Sequence, residues 1–347
     1  MTELLVASAL VLLVVAAVGS LALPVNEAAS SQPEAIDLQQ RARVMLRSLF
    51  RDVYAAGAGL DRGVRSGPLT RSFAAIVPRR IGAQGADPPA TARSDVVSVI
   101  WTPATDTQAT IVAPFSTTPA TVRNEPGCPP LLPACAARPN MGVVVFDRSG
   151  AFSLFTVDSV SGPNAVLRPR GAPSAHPYGD DAAFAEVEAR TYYLDAAARQ
   201  LRQYDTDQTD VPVMDDVIGL SIEYFGSSDP AALPKPAAGN ANCLYDAGGS
   251  LLPGGQVLPI ADDGLAGLPL ALFVDGPWCG VADMQYDADL MRVRRVRVTA
   301  RLQATSAALR GSDSRFGVGG TLRGATRAVP DVVVSIDITP RNINLPR

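Results

Sequence analysis

The stretch that most constrains this chain is Met1–Leu23, MTELLVASALVLLVVAAVGSLAL. From Leu4 to Leu23 there are 20 residues without a charge, and the polar interruptions are Ser8, Gly19 and Ser20. A helix of that length would be about 30 Å long, the thickness of a bilayer's hydrocarbon core. A run apolar on every face is expected to span a membrane once, with the rest of the chain outside it. Glu3 sits at the mouth of that span. A carboxylate drawn to the bilayer centre costs about 2.5–3.5 kcal/mol, so one found there usually has a partner; among the headgroups the cost is small. A cleaved signal peptide, with Ser20-Leu21-Ala22 as its processing site, competes for the same residues. It would need a positive beginning, and the first charge here is negative.

Pro24 is expected to interrupt or kink the backbone. Ser31-Gln32-Pro33-Glu34 then reads as a capping box that opens a second helix, from Gln32 to about Ala56. Leu38, Ala42, Met45, Leu49 and Val53 recur at helical spacing and define its apolar face, widened by Leu46 and Phe50. Arg43, Arg47 and Arg51 form a second line, either exposed or facing a partner. Gly57 and Gly59 end the pattern.

The string Thr2-Glu3-Leu4-Leu5-Val6-Ala7 ahead of an apolar helix resembles the start of mature type IV pilins and pseudopilins. Asp37–Val44, continuing through Arg51–Gly57, resembles the amphipathic helix of PilW-like minor pilins and PulJ-like minor pseudopilins. The resemblance covers about the first 57 residues. It implies an α+β fold in which a long N-terminal helix, membrane anchor plus amphipathic half, packs on a mostly antiparallel β-sheet domain. It also implies that Glu3 pairs with the N-terminal amine of a neighbouring subunit, after prepilin-type processing and methylation. In the family that glutamate is fifth. Here it is third, so two residues, the preceding Gly and the basic leader are expected to be missing from the sequence.

The chain divides on this reading into residues 1–23, the anchor; 24–59, the amphipathic continuation; 60–94, a Gly/Pro/Arg-rich connection; and 95–347, a β-rich periplasmic domain. Strands are expected at Asp95–Trp101, Ala109–Val112, Gly142–Asp147, Ser153–Val157, Ala165–Leu167, Arg190–Leu194, Arg199–Tyr204, Val217–Tyr224, Leu270–Val274, Met291–Gln303 and Val332–Ile338. Along Met291–Gln303, valines alternate with arginines, broken at Arg294-Arg295; one buried face with arginines outward is preferred over a basic docking patch.

The net charge of −4 leaves no electrostatic footprint for nucleic acid. Cys128 and Cys135, and Cys243 and Cys279, lie in two local groups that suit two disulfides, with four buried thiols as the alternative. Zinc is disfavoured, because no Cys-x-x-Cys occurs and His176 is the only histidine. With one histidine, no G-x-S-x-G elbow and no phosphate loop around Lys235, no catalytic residue and no cofactor is assigned. Asp205, Asp207 and Asp210 form a weak calcium candidate; a solvated hairpin tip between Arg199–Tyr204 and Val217–Tyr224 is the preferred reading. Together with the resemblance, these features lead to the expectation of a minor pilin acting in pilus assembly or tip initiation. It would begin in the inner membrane and then enter the fibre, beside other minor pilins, a major pilin, the prepilin peptidase and the assembly platform. A minor pseudopilin of type II secretion and an exported or anchored periplasmic binding domain are the alternatives.

Overall fold

A computed structural model describes residues 2–59, 69–103, 108–111, 120–124, 137–161, 164–172, 176–179, 182–231, 233, 235–236, 238–252, 256–261, 263–323 and 327–343. Side chains are described for these except at 2, 4–5, 18–30, 70, 108, 110 and 120–124.

Helix α1 runs from Thr2 to Ala55, 54 residues, with no break at Pro24 or Pro33. The expected capping box is therefore not a helix start. Glu34 instead accepts from the backbone N–H of Thr305 (2.6 Å) and pairs with Arg41 (3.5 Å), which also reaches Asp37 and Asp216. The apolar spacing does decide which side is buried: Leu38, Ala42, Met45, Leu49 and Val53 are at most 2% exposed. Burying each of the larger ones contributes about 1.5–3 kcal/mol. The helix stops at Gly57, whose φ of 77° suits a residue without a Cβ and whose N–H turns to Ile100 O.

Seventeen strands follow among the described residues: β1 Ile76–Val77, β2 Val96–Trp101, β3 Gln108–Ile111, β4 Ala120–Asn124, β5 Gly142–Phe146, β6 Phe152–Ser161, β7 Asn164–Pro169, β8 Ala183–Glu186, β9 Glu188–Asp195, β10 Gln200–Tyr204, β11 Asp210–Asp215, β12 Val217–Gly226, β13 Ala266–Leu268, β14 Trp278–Cys279, β15 Tyr286–Asp287, β16 Val293–Leu302 and β17 Val332–Ile338. They form four sheets, ordered β1-β2-β9-β10-β11, β13-β12-β16-β17, β14-β15, and a closed barrel β3-β4-β7-β6-β5-β8. All pairings within them are antiparallel.

The expected fold, a pilin-like α+β domain with anchor and amphipathic halves laid on a sheet, is corrected by this arrangement. The body is built of four sheets, one of them a six-stranded barrel nested between β2 and β9. Among the described side chains, α1 is exposed from Glu3 to Ala17 and packs on the body only further along. The single-pass anchor and the inner-membrane location are corrected as well. Among the described residues, no helix is long and apolar enough to cross a membrane.

Alternation explains how the sheets stack. In β5, Val143 and Val145 enter the barrel's own core, while Val144 and Phe146 join the main core. There Phe73 stacks on Phe152 at 4.2 Å and meets Phe146 edge-on at 5.6 Å. Phe73, Ile76 and Ile81, from the stretch read as connection, are thus core residues. On β16 the valines are buried and the arginines half-buried. The register slips where Gly226 faces Val293; a Cβ there would lie 2.0 Å from Arg292 O, so only glycine fits. Leu270–Phe273, expected as a strand, is a 3-10 helix following Pro269. A four-residue apolar run carries no period that tells one from the other.

Candidate functional site

The surface that asks for a partner is the first part of α1. Glu3 lies exposed in its first turn, where the positive end of the helix dipole favours a carboxylate. It is 28 residues, about 42 Å of helix, from Ser31. Between them Val6 and Leu10–Val15 are 60–69% exposed on every side of the helix. Contiguous apolar surface of this kind marks an interaction site. Further along, α1 is fixed to the body by a buried ion pair. Asp52 accepts from Arg190 (2.9 Å) and from the Tyr192 hydroxyl (2.7 Å), and Arg190 lies 5.5 Å from the Trp101 ring. Burial, then the neighbouring Asp52 charge, raises the Tyr192 pKa far above its ordinary value.

The acidic cluster is a hairpin tip, but it joins β10 to β11; Asp207 is buried and Asp205 and Asp210 half-buried, while Gln208 and Thr209 between them are exposed. Asp205 Oδ1 accepts from the N–H groups of Asp207, Gln208 and Thr209, each at 2.9 Å, and so shapes the turn. Asp207 receives Arg168 bidentately (2.7 and 2.9 Å) and the Thr156 hydroxyl (2.7 Å), both from the barrel. The Arg168 hydrogen bond holds its carboxyl below the usual range, against the effect of burial. Asp210 takes Tyr193, Arg80 and Arg202. Asp207 and Asp210 thus face different arginines while Asp205 shapes the turn, and the cluster serves as a clasp between barrel and sheet.

Cys243 and Cys279 form a disulfide, as their grouping suggested, and pin the segment before β13 to β14. Cys128 and Cys135 lie outside the described residues. His176 Nε2 is 2.7 Å from Asp147 Oδ2, while Ser149 hydrogen-bonds the other oxygen of that carboxylate. The serine thus meets the acid and no nucleophile–base pair is formed by these three groups.

Sequence reading missed one further group. Asp275, Asp287 and Asp289 bring carboxylate oxygens within 4.8 Å of one another, the latter two buried. Asp287 accepts from the N–H of Gly276 (2.5 Å) and of Asp289 (2.9 Å), and Asp289 pairs with buried Arg292 at 3.0 Å. Burial, and then the charges of Asp289 and Asp275, push the Asp287 pKa up to about 6, although both N–H groups oppose the shift. Such oxygens are the donor type a hard divalent cation takes, but Arg292 already supplies a positive charge to the group. Asp287-x-Asp289 was visible as spacing; the approach of Asp275 depends on the β14–β15 pairing.

Compared with protein-family models, with curated proteins and with solved structures, the chain gives no match.

Proposed function

We propose that the chain is a structural subunit of a type IV pilus, a PilW-like minor pilin that acts in pilus assembly and tip initiation and performs no catalysis. The observation that carries this reading is the exposed apolar length of α1 ahead of a body that holds the same helix firmly. Side chains such as Leu12 and Leu13, left in water, each forgo about 1.5–3 kcal/mol that a covering surface would return. Helices of neighbouring subunits, bundled side by side, supply that cover, and a fibre core is such a bundle. Glu3 then meets the N-terminal amine of the next subunit, so that two charges taken out of water neutralise each other. Other minor pilins and a major pilin are the neighbours, with the prepilin peptidase and the assembly platform acting beforehand. The Asp147 arrangement around His176 supports a non-catalytic role, because the hydroxyl there is held by the carboxylate.

The test is Glu3→Ala, with Glu3→Val beside it, scored for incorporation into sheared fibres against total protein in the cell. Loss of incorporation with normal protein levels is expected. Incorporation equal to the parent chain's would overturn the reading.

A further inference from the structure

Over the part of α1 that packs on the body, the side turned away from it has a definite chemistry. At about 100° per residue, Leu38, Ala42, Met45, Leu49 and Val53 cluster on one side. Ile36, Arg43, Arg47, Phe50, Arg51 and Tyr54 centre on the opposite side, and all six are exposed. Phe50 and Tyr54 stack on each other at 5.4 Å. Arg51 leans back onto Asp52 at 2.9 Å. Among the described residues, neither Arg43 nor Arg47 is matched to a carboxylate. That sets them apart from the arginines of β16, where Arg295, Arg297 and Arg301 hold Asp263, Asp337 and Asp331.

We propose that this face of α1 is a docking surface for an acidic amphipathic helix of a different chain, with carboxylates at four-residue spacing set against Arg43 and Arg47 and an apolar edge on Phe50–Tyr54. The proposal rests on the fibre-subunit reading and names the kind of neighbour it requires. Two things on the surface select the occupant. Arginines at four-residue spacing match carboxylates at the same spacing on a helix laid alongside, and the aromatic pair beside them gives that helix a dry anchor. A second copy of this chain does not fit. In this part of α1 its described carboxylates are spent: Glu34 on Thr305 and Arg41, Asp37 on Arg41, and Asp52 within the body. Two copies meeting through this face would set arginine against arginine, which disfavours the pairing.

The experiment uses the whole chain and two labelled synthetic helices. One carries Glu at every fourth position beside a Leu stripe; the other is identical with Lys in place of Glu. Binding is read by fluorescence anisotropy at low and high salt. The parent chain is expected to bind the Glu helix at least about tenfold more tightly than the Lys helix, with the preference shrinking in salt. Arg43→Glu with Arg47→Glu is expected to reverse the preference. Both positions are exposed and glutamate is a good helix former, so the fold is retained, which circular dichroism checks. Equal binding of the two helices, no reversal in the double variant, or self-association of the parent chain that the double variant abolishes would each overturn the proposal. The Glu3→Ala chain is expected to bind the Glu helix as the parent does. Failure of the docking surface and failure of fibre entry are therefore read separately.

Discussion

Asp287 gives the sharpest test of the electrostatics in the body. Its side chain is fully buried, and its pKa of about 6 stands above the ordinary 3.8. A carboxyl raised in the folded state binds its proton more tightly there than in the unfolded chain. Its favourable contribution is therefore complete below about pH 3.8 and is lost as pH rises through about 6. The gap corresponds to about 3 kcal/mol between the two ends of that window. Asp207, Asp210 and Asp337 work in the opposite sense, because their carboxyls are held below the usual range and lose stability in acid. Asp287→Asn isolates the one group. Denaturant unfolding of parent and variant is measured at pH 4, 5, 6 and 7.5, and the difference in unfolding free energy is plotted against pH. The parent is expected to lose about 2.4 kcal/mol relative to the variant between pH 4 and 7.5, because the unfolded carboxyl is already partly ionised at pH 4. Asparagine keeps only one acceptor for the two N–H groups, which shifts the whole curve without changing its slope. Parallel curves for the two proteins would refute the argument that burial of a charge sets this pKa.

Leu49→Ala, in the fully buried face of α1, is expected to cost about 2–5 kcal/mol of stability by chemical denaturation. Replacing both Cys243 and Cys279 by Ser opens a bridge between residues 36 apart and is expected to cost about 2–5 kcal/mol, read as a lower melting temperature. Asp207→Asn removes a bidentate ion pair, and the expected cost is about 1.5–3 kcal/mol. Amide exchange should then quicken in β6 and β7 before it quickens in β16.

The face of α1 that meets the body was legible because a helix repeats every 3.6 residues, and five apolar positions in phase admit one buried side. The continuity of α1 was not: Pro24 and Pro33 obey a local rule, and the helix runs through both. Strands with their own alternation, β12, β16 and β17, lay where the pattern put them, and so did β2, a short apolar run buried on both faces. Those of two or three residues, such as β1, β14 and β15, are held by partners far along the chain and carry no period. β11 contains Pro212, which masks a strand at a sheet edge, so the acidic tip was assigned the wrong second strand. The clasp of Asp207 on Arg168 and the gathering of Asp275 with Asp287 and Asp289 both depend on tertiary proximity, which spacing alone does not encode.

The barrel leaves and rejoins the frame at one rung. Trp101 and Glu188 face each other across β2 and β9, and the 86 residues from 102 to 187 hang between them. Whatever is suspended there can grow, shrink or be exchanged while the rungs behind it keep their register, as a tool head changes on a fixed handle. Side fastenings restrict the exchange, among them Phe152 against Phe73 and Arg168 against Asp207. A replacement head would seat properly only if it offered an aromatic ring and a guanidinium at those same two points.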